Sequence, residues 1–181
     1  MKKLVVMLAL ALMPAAALAA GPHEDLDCTG CHSLHSAEGK IIFALKANTV
    51  DINPRTNTPY QGVTALCLSC HQTEAKGGQD IIPVDRHMSH PFGLEKVNPK
   101  VATVPVELLR EGRFECIGCH DPHPSNPNYK YLRVDTDGGS SITNFCVVCH
   151  PMKADAQAVK NSTFFNSMDE TKFAAPVTVT K

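Results

Sequence analysis

The chain has 181 residues, with 17 Lys and Arg against 18 Asp and Glu and a formal net charge of −1. This balance gives no electrostatic support for binding nucleic acid, which requires a basic surface. Trp is absent, Tyr and Phe number only 3 and 7, and the 13 Pro and 11 Gly interrupt regular elements. We therefore expect mostly irregular coil with short helices, minimal β-structure and too few large side chains for a conventional core.

Residues 1–20 have the pattern of a secretory signal peptide. Two lysines precede an apolar stretch at 4–13, and Ala-Leu-Ala at 17–19 forms a small-residue cleavage site. An uncleaved anchor is the alternative, but the whole run at 4–20 is at the short limit for a membrane span and Pro14 interrupts it. We expect an exported mature chain, residues 21–181, that forms a single domain with no membrane span after cleavage.

Four copies of one pentapeptide, Cys-x-x-Cys-His, use all eight cysteines of the chain. The pattern is the attachment signature of c-type haem. Two thiols one helical turn apart can bond to one edge of the porphyrin, and the histidine that follows binds the iron as the proximal ligand. The predicted covalent sites are Cys28 and Cys31, Cys67 and Cys70, Cys116 and Cys119, and Cys146 and Cys149, with proximal His32, His71, His120 and His150.

Paired cysteines have other uses, namely two four-thiolate zinc sites, four reactive dithiols or disulfides. None of these requires a histidine after the second cysteine, whereas all four copies have one. We therefore predict four haem c groups. With about 160 mature residues to hold them, the haem faces must replace a conventional core, and we expect that the chain does not fold without haem.

The motifs form a repeat. CTGCHSLH at 28–35 and CIGCHDPH at 116–123 share a longer Cys-x-x-Cys-His-x-x-His pattern, and each precedes a plain copy. The haems are therefore predicted to form two pairs, at 28–71 and 116–150. Other predicted elements are turns at 53–54, 57–59 and 137–139, a helical turn at 106–110, a helix at 153–160, an extended His90 before Pro91, and an edge strand or extended tail at 177–180.

Five histidines remain as candidate distal ligands for four irons: His35, His123, His90, His87 and His23. Imidazole is a strong iron ligand, so all four irons can be bis-histidine. His35 and His123 each follow a proximal histidine by three residues, a tether too short to pass around the porphyrin edge. We expect each to bind a neighbouring haem, which requires closely spaced haems. Met88 and Met152 are less favoured ligands.

From residue 67 to 150 the chain resembles the doubled Cys-x-x-Cys-His multihaem cytochromes. The matching segments are LCLSCH at 66–71, SHPFG at 89–93, CIGCHDPH at 116–123, YLR at 131–133 and FCVVCH at 145–150. The whole plan is similar to the extracellular tetrahaem cytochromes of metal-reducing bacteria. In that group, subunits polymerise into filaments with a continuous haem chain, and a histidine of one subunit can complete a haem site in the next.

The position of His23 makes it a candidate for such a junction. It lies just after the predicted cleavage site, and Pro22 favours an extended chain that can reach outward. On this hypothesis His23 ligates a haem of an identical subunit. The alternative is that the other four spare histidines satisfy the four irons and His23 is idle.

The predicted function is electron transfer without enzymatic chemistry, because six-coordinate iron has no open position for a substrate. The expected setting is anaerobic respiration in the periplasm or at the cell surface, with other redox proteins, and extracellular metal oxides, as partners. One alternative is a haem enzyme of the nitrite or sulfur-compound reductase type, which needs a five-coordinate iron. Another is a membrane-anchored tetrahaem quinol dehydrogenase, which keeps its N-terminal span.

Overall fold

The computed structural model describes residues 23–37, 42–84, 90–151 and 164–167. Within these ranges, irregular coil dominates and the helices are short, as the sequence predicted. The α-helices are α1 (Asp27–Cys31), α2 (Gly62–Cys67), α3 (Cys116–Cys119) and α4 (Thr143–Cys149). Single 3₁₀ turns span Glu24–Leu26, Glu74–Lys76, Val106–Leu108, Tyr129–Tyr131 and Asp137–Gly139.

A two-stranded antiparallel sheet is the β-structure of the described chain. Strands β1 (Ile52–Asn53) and β2 (Thr58–Pro59) pair Ile52 with Pro59 and Asn53 with Thr58. Asn57 takes a left-handed φ of 55° in the connecting turn, a conformation that Asn tolerates well. The predicted turns at 53–54 and 57–59 therefore form one hairpin.

The predicted helical turn at 106–110 is confirmed as the 3₁₀ turn Val106–Leu108, and the predicted turn at 137–139 is a second one. The predictions for residues 1–20, 153–160 and 177–180 lie outside the described residues. No helix among those that the structure describes is long and apolar enough to span a membrane.

Among the residues that the structure describes, two small apolar clusters take the place of one large core. Tyr60, Ala65 and Leu68 form the first, and Leu108, Val134 and Val148 form the second. Buried polar side chains accompany them: the Asn48 amide donates to the carbonyls of Leu68 and Lys76 at 3.0 and 2.8 Å. Because amides satisfy backbone groups that no regular element pairs, these contacts hold the coil in a defined shape.

A buried carboxylate joins α2 to α3. Glu115, which is 2% exposed, precedes α3, and its Oε2 accepts the Val63 and Thr64 N–H groups at 2.8 and 3.3 Å. These N–H groups lie at the start of α2, where no helical acceptor exists. Gly62 has a φ of +60° and its Cα faces this carboxylate, so a side chain there would collide with it. Arg113 neutralises Glu115 with an Nε–Oε1 distance of 2.9 Å.

We expect Glu115→Gln to lower the free energy of unfolding of the haem-loaded protein by about 1.5–3 kcal/mol, the scale of hydrogen bonds to a charged group. The change leaves Arg113 without its buried partner and weakens the start of α2. Denaturant titration measures the effect, with exposed Glu74→Gln as the matched control. Equal stability of the two variants would contradict this account of Glu115.

Candidate haem-attachment sites

All four pentapeptides share one backbone hydrogen bond. In each, the histidine N–H donates to the carbonyl of the first cysteine, which closes one helical turn and brings both thiols to adjacent positions on it. The N–O distances are 2.8 Å for His32 to Cys28, 2.9 Å for His71 to Cys67, and 3.0 Å for both His120 to Cys116 and His150 to Cys146. The sites are thus equivalent in the local structure that haem attachment requires.

A second shared contact ties each motif to another part of the chain, which we call its clamp segment. The carbonyl of the second cysteine accepts a backbone N–H from that segment in all four cases. The donors are Ala44 to Cys31 at 2.9 Å, Ile81 to Cys70 at 3.1 Å, Arg133 to Cys119 at 2.9 Å and Thr103 to Cys149 at 2.8 Å. The clamp segment of the fourth motif lies before it in the chain, whereas the other three follow theirs.

Three clamp segments also orient the proximal histidine ring. Nδ1 of His71, His120 and His150 lies 2.8, 2.9 and 3.1 Å from the carbonyl oxygens of Ile81, Lys130 and Val101, respectively. A carbonyl only accepts, so Nδ1 carries the proton in each ring. This tautomer leaves the Nε2 lone pair free, which is the arrangement found where a histidine binds a metal.

His32 departs from this pattern. Its Nδ1 is buried and has no hydrogen-bond partner among the described residues, and its ring stacks on Phe43 with centroids 5.4 Å apart. Its backbone still follows the repeat, with φ −116° and ψ 140° against −116° and 141° at His120. The first site therefore has the attachment geometry without the ring-orienting hydrogen bond.

The eight cysteines, all within the described residues, are free thiols, so the disulfide alternative is not realised. Nor does the described part of the chain group three or more His, Cys, Asp or Glu side chains into a metal site, as four-thiolate zinc would need. Burial raises the pKa of Cys119 to about 12 and also raises the pKa values of Cys31 and Cys149. A raised pKa disfavours the thiolate form, so these three thiols do not suit reactive dithiols.

Thiols of successive motifs lie close to one another. The hydrogen bond with the Cys116 sulfur is the main cause that raises the pKa of Cys67 and lowers that of Cys116. After burial, the nearby Cys70 thiol raises the pKa of Cys31, and Cys149 does the same for Cys119. The second and third motifs, which the sequence predicted to belong to different pairs, thus have neighbouring thiols, as the members of each pair do.

A cavity of about 630 Å³ adjoins the fourth motif. Cys149 and His150 line it together with His90, and Leu94 and Phe114 contribute apolar walls. Its volume is within the range of about 300–1,000 Å³ that cofactor sites occupy. A thiol and an imidazole at an apolar cavity with a second imidazole fit a covalently attached haem.

The candidate distal histidines differ in their surroundings. His35 is exposed, and its backbone N–H donates to Ser33 Oγ at 3.3 Å. His90 is also exposed, and its ring lies 6.1 Å from that of Phe114. His87, Met88 and Met152 lie outside the described residues.

His123 is held by a buried carboxylate. Its Nδ1 lies 2.7 Å from Asp121 Oδ1, and Ser167 Oγ lies 2.7 Å from the same nitrogen. Burial opposes ionisation of Asp121, but hydrogen bonds from His123 and Ser167 outweigh it and lower its pKa to about 2. The carboxylate in turn raises the pKa of His123. His123 thus has a charged acceptor where the proximal histidines have carbonyls.

His23 folds back onto the protein instead of reaching outward as the sequence suggested. It has φ −77° and ψ −16° at the start of a 3₁₀ turn. Its ring stacks on Tyr131 at a centroid distance of 5.3 Å and lies 5.8 Å from the ring of His71. Burial lowers the pKa of His23, which favours the neutral imidazole that a metal binds.

Sequence reasoning missed the residues that support the ligands. Arg133 is buried, and its guanidinium donates to the carbonyls of Phe165, Glu107 and Ile117 at 3.0, 3.1 and 3.3 Å. The sequence of residues 131–133 indicates only a resemblance to known cytochromes, whereas the structure shows that this segment is the clamp segment of the third motif. Asp121 directly follows proximal His120. This position beside a predicted iron ligand is the sequence feature that could have indicated its supporting role.

Comparison with known proteins agrees with this geometry. Residues 108–155 match the family described as the doubled CXXCH motif, which covers the third and fourth pentapeptides. No curated protein and no solved structure matches the chain significantly. The doubled motif indicates covalently bound haem c, and this match supports the resemblance of the chain to multihaem c-type cytochromes.

Proposed function

We propose that the mature chain is a tetrahaem c-type cytochrome that transfers electrons through closely spaced bis-histidine haems and performs no substrate chemistry. The observation that carries this proposal is the equivalence of all four motifs. Each has the same helical turn and the same clamp contact at its second cysteine. A haem would supply a one-electron Fe(III)/Fe(II) couple at each of the four sites.

The thiol contacts support a continuous path. Porphyrins attached through Cys67 and Cys116 would have neighbouring edges, because these two thiols lie close enough for each to shift the pKa of the other. Cys31 with Cys70, and Cys119 with Cys149, extend the same relationship to the outer motifs. The attachment points therefore follow one another in chain order, which favours relay from the first haem to the fourth.

The histidine supply supports six-coordinate iron. His90 and His150 line one cavity, which suits them as the distal and proximal ligands of the fourth haem. His35 and His123 remain proposed ligands of haems other than those attached just before them. With two histidines on each iron, no position is left for a substrate, and reduction potentials are low.

The setting follows from the signal-peptide pattern and from the resemblance in sequence. We propose that the protein acts in the periplasm or at the cell surface in anaerobic respiration, exchanging electrons with other redox proteins. Transfer to extracellular metal oxides and assembly of identical subunits into filaments stay predictions of the resemblance. Electron microscopy of purified extracellular material tests the filament directly.

The haem-enzyme alternative predicts one open iron position. The reduced protein would then bind carbon monoxide rapidly, whereas six-coordinate irons would not. The quinol dehydrogenase alternative predicts a retained N-terminal span, which N-terminal sequencing of the purified protein distinguishes from cleavage after Ala19 or Ala20.

We expect the intact mass of the mature protein to include four haems. Replacing both Cys67 and Cys70 with Ala should remove one haem, because neither thioether can form at that motif. Mass spectrometry measures both proteins. A wild type with two haems, with zinc or with free thiols would contradict the tetrahaem proposal.

We expect His90→Ala to convert one iron to the high-spin state, because it removes the imidazole that faces the cavity shared with His150. Absorbance and electron paramagnetic resonance spectra of the oxidised protein measure this change. Val97→Ala alters the same cavity without removing a ligand and should leave the spectra unchanged. A His90 variant with four haems that stays entirely low-spin would exclude His90 as a ligand.

We expect Asp121→Asn to raise the potential of one haem on the order of 60 mV. A carboxylate that accepts from Nδ1 increases the basicity of the histidine ligand and favours Fe(III). A tenfold change in the affinity of the ligand for Fe(III) relative to Fe(II) corresponds to about 59 mV for one electron. Spectroelectrochemical titration measures the shift, with exposed Asp135→Asn as the control. Unchanged or lowered potentials would show that His123 tunes no haem.

A further inference from the structure

We propose that His23 is the distal ligand of the second haem, opposite His71 and within the same chain. This inference rests on the proposed tetrahaem function and assigns one of its ligand pairs. It differs from both roles that the sequence left open for His23, which were ligation in a neighbouring subunit and no ligation.

The distance between the two rings is the first support. Their centroids lie 5.8 Å apart. Two metal–imidazole bonds of about 2.0–2.1 Å, with the radius of each ring added, separate the ring centres of opposed ligands by roughly 6 Å. The interplanar angle of 42° corresponds to two rings rotated relative to each other, as ligands on opposite sides of a metal can be.

The hydrogen bonds of the two rings are the second support. Nδ1 of His71 donates to the Ile81 carbonyl at 2.8 Å, and Nδ1 of His23 donates to the Pro122 carbonyl at 3.3 Å. Both rings therefore have Nε2 free as a ligand. A second-sphere carbonyl at His23 is what the proximal histidines have, and it is unexplained if His23 is an idle surface residue.

Residues next to the third motif and in its clamp segment fix His23 in place. Its backbone N–H donates to the Tyr131 hydroxyl at 3.3 Å, and its ring stacks on the Tyr131 ring. Tyr131 belongs to the clamp segment of the third motif, and Pro122 lies two residues after His120. Folding of the third site thus holds His23 beside the second site, before any partner subunit is present.

The connection to the first motif is also consistent. A 3₁₀ turn, Glu24–Leu26, and helix α1 link His23 to the first haem site at Cys28 and Cys31. The thiol of Cys31 lies near that of Cys70 in the second site. A ligand that precedes the first haem by five residues can therefore reach the second haem without an extended arm.

The test compares His23→Ala with Glu24→Ala, its exposed neighbour, in the four-haem mature protein. We expect His23→Ala to convert one iron of the four to the high-spin state and Glu24→Ala to convert none. Added imidazole should restore the low-spin spectrum of His23→Ala, which a general loss of packing would not allow. If His23→Ala does not accumulate with four haems, the wild-type monomer provides the test, because all its irons should stay low-spin on dilution.

A nuclear Overhauser effect assigns the haem. In the reduced, diamagnetic wild-type protein, the His23 ring protons should contact the porphyrin that is bonded to Cys67 and Cys70. A contact with another porphyrin, or a His23 variant that stays low-spin, would overturn the assignment while leaving four haems and reversible reduction intact. If the wild-type monomer has one high-spin iron that becomes low-spin when subunits assemble, ligation between subunits would be established instead.

Discussion

The backbone contact at the second cysteine of each motif is the constraint on which the rest of this structure depends. A four- to seven-residue helix has too few internal hydrogen bonds to persist alone. The clamp N–H group satisfies the carbonyl of the second cysteine, which ends the helix in three motifs and lies three residues beyond it in the second. In three sites the same segment also orients the histidine ring. One pairing thus fixes the thiols, the imidazole tautomer and the path of the following chain together.

This constraint also explains how so short a chain manages without a large core. Its two apolar clusters are small, and Leu34 and Val106 remain 81% and 75% exposed. Buried polar groups such as Glu115, Asn126 and Arg133 pair with backbone groups of the loops instead. Such contacts define a shape but contribute less burial than apolar packing, so covalent haem is a natural source of the missing stabilisation.

The sequence predicted the coil-rich architecture, the hairpin turns and the 3₁₀ turn at 106–108, because Pro, Gly and Asn act through local backbone preferences. It also identified every motif, since the attachment chemistry dictates the spacing. It did not predict the clamp segments or the position of His23. Both depend on contacts between residues that are distant in the chain, such as Thr103 with Cys149 and His23 with Pro122, and such contacts leave no local pattern in the sequence.

The acceptors of the histidine Nδ1 atoms make the sites electronically unequal even though their backbones repeat. His71, His120 and His150 face neutral carbonyls, His123 faces an ionised carboxylate, and His32 faces no partner among the described residues. Ligand basicity rises with the charge of the acceptor, and a more basic ligand favours Fe(III). On the proposed ligation, a repeated attachment motif would hold haems of different potential, because residues outside the repeat provide the different acceptors.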